Sequence, residues 1–213
     1  MTEESAREQR PATPQLSAAK RRQILAGARE TFRELGYEHA SVDAIAARAG
    51  VAKATVYNHF ADKSALFAAC FSEGADAMRD ELRAVLAAPC DDLEKALQSA
   101  GENIVAVLLS CEALAMHRNA GELIARFPEI GRMFWERGPR LTYELIAGYL
   151  TKKAEHGALR IEDPYSAAVQ FVMLCKGDLV TKAFLGVEKK PSGDEVRETV
   201  RRAVRTFLGA YRR

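Results

Sequence analysis

Residues 41–60 read Ser-Val-Asp-Ala-Ile-Ala-Ala-Arg-Ala-Gly-Val-Ala-Lys-Ala-Thr-Val-Tyr-Asn-His-Phe, and this stretch decides the fold. Ser41 followed by an acid at Asp43 is an N-cap signature, so a helix is expected over 42–49. Gly50 supplies the left-handed residue that ends it. A second helix of barely two turns, 53–59, follows directly. Ala46 is small enough to sit where the two helices cross, and Ile45 and Val56 fill the wedge between them. Two short helices around so tight a turn form a helix-turn-helix. In that arrangement the second helix lies along the major groove and its first residues meet base edges.

The residues left outside the wedge suit that use. Lys53 and Asn58 carry groups able to read bases, whereas Thr55, Tyr57 and His59 are suited to phosphate oxygens. Ala54 permits close approach. Ser41 and Val42 stand at a helix N-terminus, a natural phosphate site, and Lys63, at the start of the next helix, is placed to reach the same strand. A plain helical corner with ordinary surface residues is the competing reading of the same pattern.

Outward from the corner, Ile24, Ala28, Phe32 and Leu35 recur at helical spacing and share one face, with Gly36 as a stop, giving a helix over 18–35. Asp62 is a further N-cap, opening a long helix over 63–87 that ends before Pro89. Helices also fit 93–109, 112–125, 129–155, 164–185 and 194–211, separated by Pro128, Gly157, Pro164 and the run Lys190-Pro191-Ser192-Gly193. Period-two alternation is absent, so the chain is expected to be all-α with about nine helices. Residues 1–16, polar with Pro11 and Pro14, read as a flexible tail. A three-helix domain holding the helix-turn-helix is expected over 17–63 and a second, larger helical domain over 64–213.

Bulk properties bound the alternatives. With 31 Lys plus Arg against 29 Asp plus Glu, the net charge of +2 points to no particular partner. Residues 17–63 are mildly basic, with eight basic and five acidic side chains. The four cysteines, Cys70, Cys90, Cys111 and Cys175, form no C-x-x-C pair and have no histidine at metal spacing, so reduced, mostly buried thiols are expected, with no metal and no cofactor. The N-terminus carries no apolar leader and the longest apolar run is too short for a bilayer; a cytoplasmic protein without membrane contact is the expectation. A P-loop, Gly-x-Ser-x-Gly, Ser-x-x-Lys and Gly-x-Gly-x-x-Gly are all missing, which argues against an enzyme. A ligand carrier that has lost DNA binding is the other rival.

The block 22–67 resembles the tetracycline-repressor-like (TetR) family of bacterial regulators. The resemblance rests on Ile24-Leu25, Ala28 and Phe32, then Leu35-Gly36-Tyr37, Ser41-Val42, Ile45-Ala46, the run Ala49 to Phe60, and Asp62-Lys63-Ser64-Ala65-Leu66-Phe67. Ala52-Lys53-Ala54 departs from the Ser-x-Gly that many relatives carry, so base preference does not transfer. Farther on, Ile124-Ala125-Arg126-Phe127-Pro128-Glu129-Ile130, Phe134 and Gly138-Pro139 resemble the AefR-like C-terminal subtype. The resemblance implies a homodimer on a palindromic double-stranded DNA operator, most often a repressor, released by a small hydrophobic or amphipathic effector. It also implies that the effector acts by moving helix 63–87 and so the spacing of the two reading helices, about 34 Å in successive major grooves.

For the dimer seam, the apolar faces of the last two helices nominate Phe171, Cys175, Leu179, Val200, Val204, Phe207 and Tyr211; closing the chain's own core is the alternative role for these faces. For an effector pocket, Cys111, Met116, Arg118, Phe134, Tyr143 and Met173 are candidates, although aromatic and Met side chains at helical spacing also serve as ordinary core.

Overall fold

A computed structural model describes residues 14–89, 92–126, 128–187 and 191–212. Its elements are α1 (Pro14–His39), α2 (Val42–Ala49), α3 (Lys53–His59), α4 (Lys63–Ala87), α5 (Leu93–Leu108), α6 (Cys111–Arg126), α7 (Pro128–Arg137), α8 (Pro139–Glu155), α9 (Pro164–Lys176), α10 (Leu179–Leu185) and α11 (Gly193–Tyr211). No strand occurs among the described residues; a single antiparallel bridge joins Leu159 to Arg212. The chain is all-α, and two of the nine expected helices are each divided. The chain forms two compact units, Met1–Phe67 and Ala68–Arg213. The expected tail lies outside the described residues except for 14–16, which already belong to α1.

The two divisions have local causes. In the expected helix 129–155, Gly138 takes φ −106°, ψ −99°, and Pro139 then opens α8 at a position where its missing N–H costs nothing. A Cβ at Gly138 would lie 2.9 Å from both the Phe71 ring and the Phe134 carbonyl oxygen, so only glycine fits. In the expected helix 164–185, Gly177 turns to φ 50°, ψ −138°, a conformation an L side chain resists, and α9 ends there.

In the first unit, α1 carries Ile24, Leu25, Ala28 and Phe32 on its buried face. It is interrupted at Gly36 (φ 72°, ψ 169°), the expected stop. Phe32, Tyr37 and Phe67 close this core as an aromatic trio, with Phe67 edge-on to the other two rings at 5.2 and 5.4 Å between centroids.

In the second unit, α5, α9 and α11 pack on one another. The apolar face of α5 (Leu97, Ala100, Ile104, Val105) packs against α11 and α9, which contribute Val200, Val204 and Phe207, and Phe171 and Cys175. Each Leu, Ile, Val or Phe side chain so enclosed stabilises the fold by roughly 1.5–3 kcal/mol. The closest approach is at Gly101, where a Cβ would stand 2.6 Å from Val200 Cγ1 and 2.8 Å from Cys175 Sγ. Helix starts are set by carboxylates and hydroxyls: Asp92 accepts from the Glu94 and Lys95 N–H groups, and Asp163 from those of Tyr165 and Ser166. Ser192 and Glu195 form a reciprocal capping box at α11.

This packing corrects the nominated dimer seam. Phe171, Cys175, Val200 and Val204 have no exposed surface, Phe207 has 1% and Leu179 8%, all within one chain. Side chains already enclosed have no area left for a second copy. Tyr211 is half-buried and its hydroxyl donates to Gln170 Oε1 at 2.7 Å. The thiol expectation divides too: Cys70 and Cys175 are buried, Cys111 is exposed, and Cys90 lies outside the described residues. Burial pushes the Cys175 thiol up to about 12. No single helix among the described residues is long and apolar enough to cross a membrane.

Candidate nucleic-acid interface

The corner forms because each local group finds its partner. Ser41 Oγ accepts the Ala44 N–H at 3.0 Å and starts α2. Gly50 takes the left-handed conformation (φ 62°, ψ 38°), and its N–H points back to the Ala46 and Ala47 carbonyls. The Val51 N–H follows at 3.0 Å from Ala46 O, so the last carbonyls of α2 are satisfied inside the turn. A helix of seven residues is not stable alone. Here α3 is held by Val56, 2% exposed, which lies in the core with Ile45 and Ala46 as the wedge reading required.

The corner rests on α1 through a contact that sequence reasoning missed. At Gly27 a Cβ would meet Ala49 Cβ and N at 2.9 Å, so α1 and α2 touch backbone to backbone. Alongside, Gln23 Nε2 donates to Ala49 O at 2.5 Å. A glycine inside an apolar helix gives no warning of such a neighbour, because the need for it arises 22 residues later.

With Val56 inward, α3 turns Lys53, Ala54, Tyr57 and Asn58 to solvent, Tyr57 being 48% exposed. Thr55 and His59 are half-buried on its flanks. On α2, Ser41 is exposed and Val42 half-buried. The nominated reading residues of α2 and α3 thus lie on a common corner. Lys63 is differently employed. Its Nζ donates to Tyr37 O at 2.8 Å and sits 4.3 Å from the centre of the Tyr37 ring. It caps the end of α1, with two of its three donors directed to the Tyr37 and Glu38 carbonyls.

Charge on the corner is organised in pairs. Arg48 reaches back to Glu34 of α1 at 2.6 Å; their hydrogen bond lowers the Glu34 pKa and raises that of Arg48. Lys53 Nζ lies 2.9 Å from Asp43 Oδ2, and that hydrogen bond raises the lysine pKa. Asp62 accepts from Ser64 Oγ and the Ala65 N–H, which hold its carboxyl below the ordinary range. Asp43 was legible only as a first-turn acid; its bond to Lys53 exists only once the turn is made.

The six effector-pocket candidates differ in exposure and in the partners they meet. Cys111 is exposed at the start of α6 and Met116 is half-buried. Arg118 donates to Ala183 O at 3.0 Å and Phe184 O at 3.2 Å, capping α10. Met173 is 46% exposed, because the inward face of α9 is taken by Phe171, Val172 and Cys175. Phe134 and Tyr143 are buried. The Phe134 ring stacks on Phe71, and Tyr143 stands edge-on to Tyr165 at 6.1 Å. Burial, then the nearby Tyr165, raises the Tyr143 pKa.

Comparison with known proteins bears on both units. Residues 24–70 match the family described as bacterial regulatory proteins, tetR family. Residues 95–213, more than half the chain, match the AefR-like transcriptional repressor C-terminal domain. An HTH-type transcriptional repressor of Mycobacterium tuberculosis is 44% identical over 61 residues, 29% of this chain and 33% of that protein. The chain therefore aligns with only about a third of that repressor's length. A TetR-family transcriptional regulator from Mesorhizobium loti superimposes with TM-score 0.88 at 28% identity, over 95% of this chain and all of that one. The flavonoid-responsive regulator FrrA superimposes with TM-score 0.74 at 28% identity, over 92% and 98% of the two chains.

Proposed function

Because this chain belongs to the TetR family of bacterial regulatory proteins, with an AefR-like C-terminal domain, we propose that it is a DNA-binding transcriptional regulator, a repressor, that places α3 in the major groove. The observation that carries this reading is a seven-residue helix with Val56 as its sole buried residue and Lys53, Ala54, Tyr57 and Asn58 facing solvent. A helix so short and so polar outside its anchor is suited to presentation rather than to packing. Lys53 and Asn58 address base edges; Thr55, Tyr57, His59 and the α2 start at Ser41 and Val42 address phosphates. Lys63 contributes to the site as the cap that holds the end of α1 beside it.

Two half-sites require two copies. The exposed apolar residues Met173 and Leu174 of α9 and Phe184, Leu185 and Val187 in and just after α10 fit a self-complementary seam better than the enclosed faces do. The effector is a small hydrophobic or amphipathic molecule bound in the second unit; FrrA's response to flavonoids falls within that class. Its binding shifts α4 and with it the spacing of the two reading helices.

The test is selection of duplexes from a random pool by the full chain, followed by binding assays. Tyr57→Ala is expected to lose at least tenfold in affinity for the selected duplex while keeping its circular dichroism spectrum. Phe184→Glu is expected to shift the protein toward monomer in light scattering and to weaken operator binding. Enrichment of no sequence by the wild-type chain would refute the reading.

A further inference from the structure

Between residues 42 and 59 the chain carries three formal charges besides histidine: Asp43, Arg48 and Lys53. Arg48 is drawn back to Glu34 and Glu30 of α1. That leaves Asp43 and Lys53 on the corner, joined at 2.9 Å across the turn between the first turn of α2 and the first residue of α3. An acid on a surface that approaches a polyanion weakens binding by repulsion. As a first-turn acid Asp43 suits the N-terminus of α2, but that role does not require the bond it makes to Lys53.

We propose that Asp43 is a positioning residue that sets sequence discrimination by holding the Lys53 amine toward base edges and away from phosphates. The inference rests on the reading of α3 as the groove helix. An ammonium has three donors. With one on Asp43 Oδ2, two remain, matching the O6 and N7 acceptors of guanine. For Lys53 to swing to a phosphate, it must leave a carboxylate uncompensated beside the DNA backbone. The pair is exposed and weak in the free protein, with side-chain exposures of 51% and 68%. It strengthens as the duplex displaces water around it. Asp43 thus penalises the sequence-independent use of Lys53 and leaves the sequence-dependent use open.

The experiment uses full-length protein with Asp43→Asn, Lys53→Ala and the double variant. Each is titrated against a duplex selected by the wild type and against its scrambled counterpart over a range of salt. Asp43→Asn is expected to bind the scrambled duplex roughly threefold to tenfold tighter and to lose a similar factor in discrimination. Its logarithmic salt dependence on scrambled DNA should steepen by about 0.9, the signature of one added phosphate contact. Asp43→Glu should restore discrimination, and in the Lys53→Ala background the Asp43 substitution should change nothing beyond twofold. If Asp43→Asn tightens binding equally without Lys53, the acid acts by simple repulsion and the proposal is overturned. Unchanged discrimination and salt slope would overturn it as well. Failure of the wild type to bind any duplex would instead refute the groove reading, and this inference with it.

Discussion

Replacing Gly27 with alanine sets two effects of known size against each other. Alanine is favoured over glycine inside a helix by roughly 1 kcal/mol. At Gly27, however, the new methyl would lie 2.9 Å from the Ala49 nitrogen and Cβ and 3.0 Å from its Cα. Two of these three atoms are backbone, so no rotamer change relieves them. Ordinary contact requires about 0.6–1 Å more separation of α1 and α2, and overpacking of this kind costs ~1–3 kcal/mol, here in the upper half of that range. The net expectation is a loss of about 1–2 kcal/mol. Gly74 in α4 is exposed, and a Cβ there meets nothing within 4 Å, so Gly74→Ala should instead stabilise by ~0.5–1 kcal/mol. Urea titration followed by circular dichroism reads both, and fluorescence of Trp135, the single tryptophan, reports the second unit alone. Displacing α2 also tilts the corner, so Gly27→Ala should weaken operator binding several-fold. If both alanines stabilise by the same amount, the backbone contact between α1 and α2 is not real.

Three further outcomes are expected. Ser41→Ala removes the hydroxyl that caps α2 and should cost about 1 kcal/mol in the same titration. Asp62, Asp92 and Asp163 are held below the ordinary carboxylate range by hydrogen bonds from hydroxyl and backbone N–H donors at helix starts. Their contribution is complete above the unfolded pKa and is lost as pH falls through the lowered folded values, so stability should be level near neutrality and decline below about pH 4; Asp92→Asn with Asp163→Asn should flatten that decline, as thermal melts against pH would show. Iodoacetamide at neutral pH should modify Cys111 but neither Cys70 nor Cys175 in the native protein, read by mass spectrometry; rapid labelling of Cys175 would contradict its burial.

Features set by neighbours in the chain were legible before the fold was seen. Gly36 and Gly50 as stops, Ser41 as a cap and the Ile45, Ala46 and Val56 wedge are all encoded within one or two turns. Features set by distant partners were not. Nothing near Gly27 announces Ala49, and nothing near Lys63 announces the carbonyls of Tyr37 and Glu38 that take its ammonium. Periodicity marked Phe171, Val200 and Phe207 as buried, but not whether the covering surface belonged to the same chain. Met173 fell on the outer face of α9 because its neighbours Phe171, Val172 and Cys175 define the inner one. Gly138-Pro139 sat within a long apolar pattern, and the break emerged only where the Phe71 ring crowds the glycine.

Arg79 of α4 is 7% exposed, pairs with Asp76 and donates to the carbonyl of Arg137 at the end of α7. Because the accepting group on α7 is a main-chain carbonyl, the grip depends on which residue stands at position 79 and not on which stands at 137, so the two ends of this clasp differ in how much sequence change they tolerate.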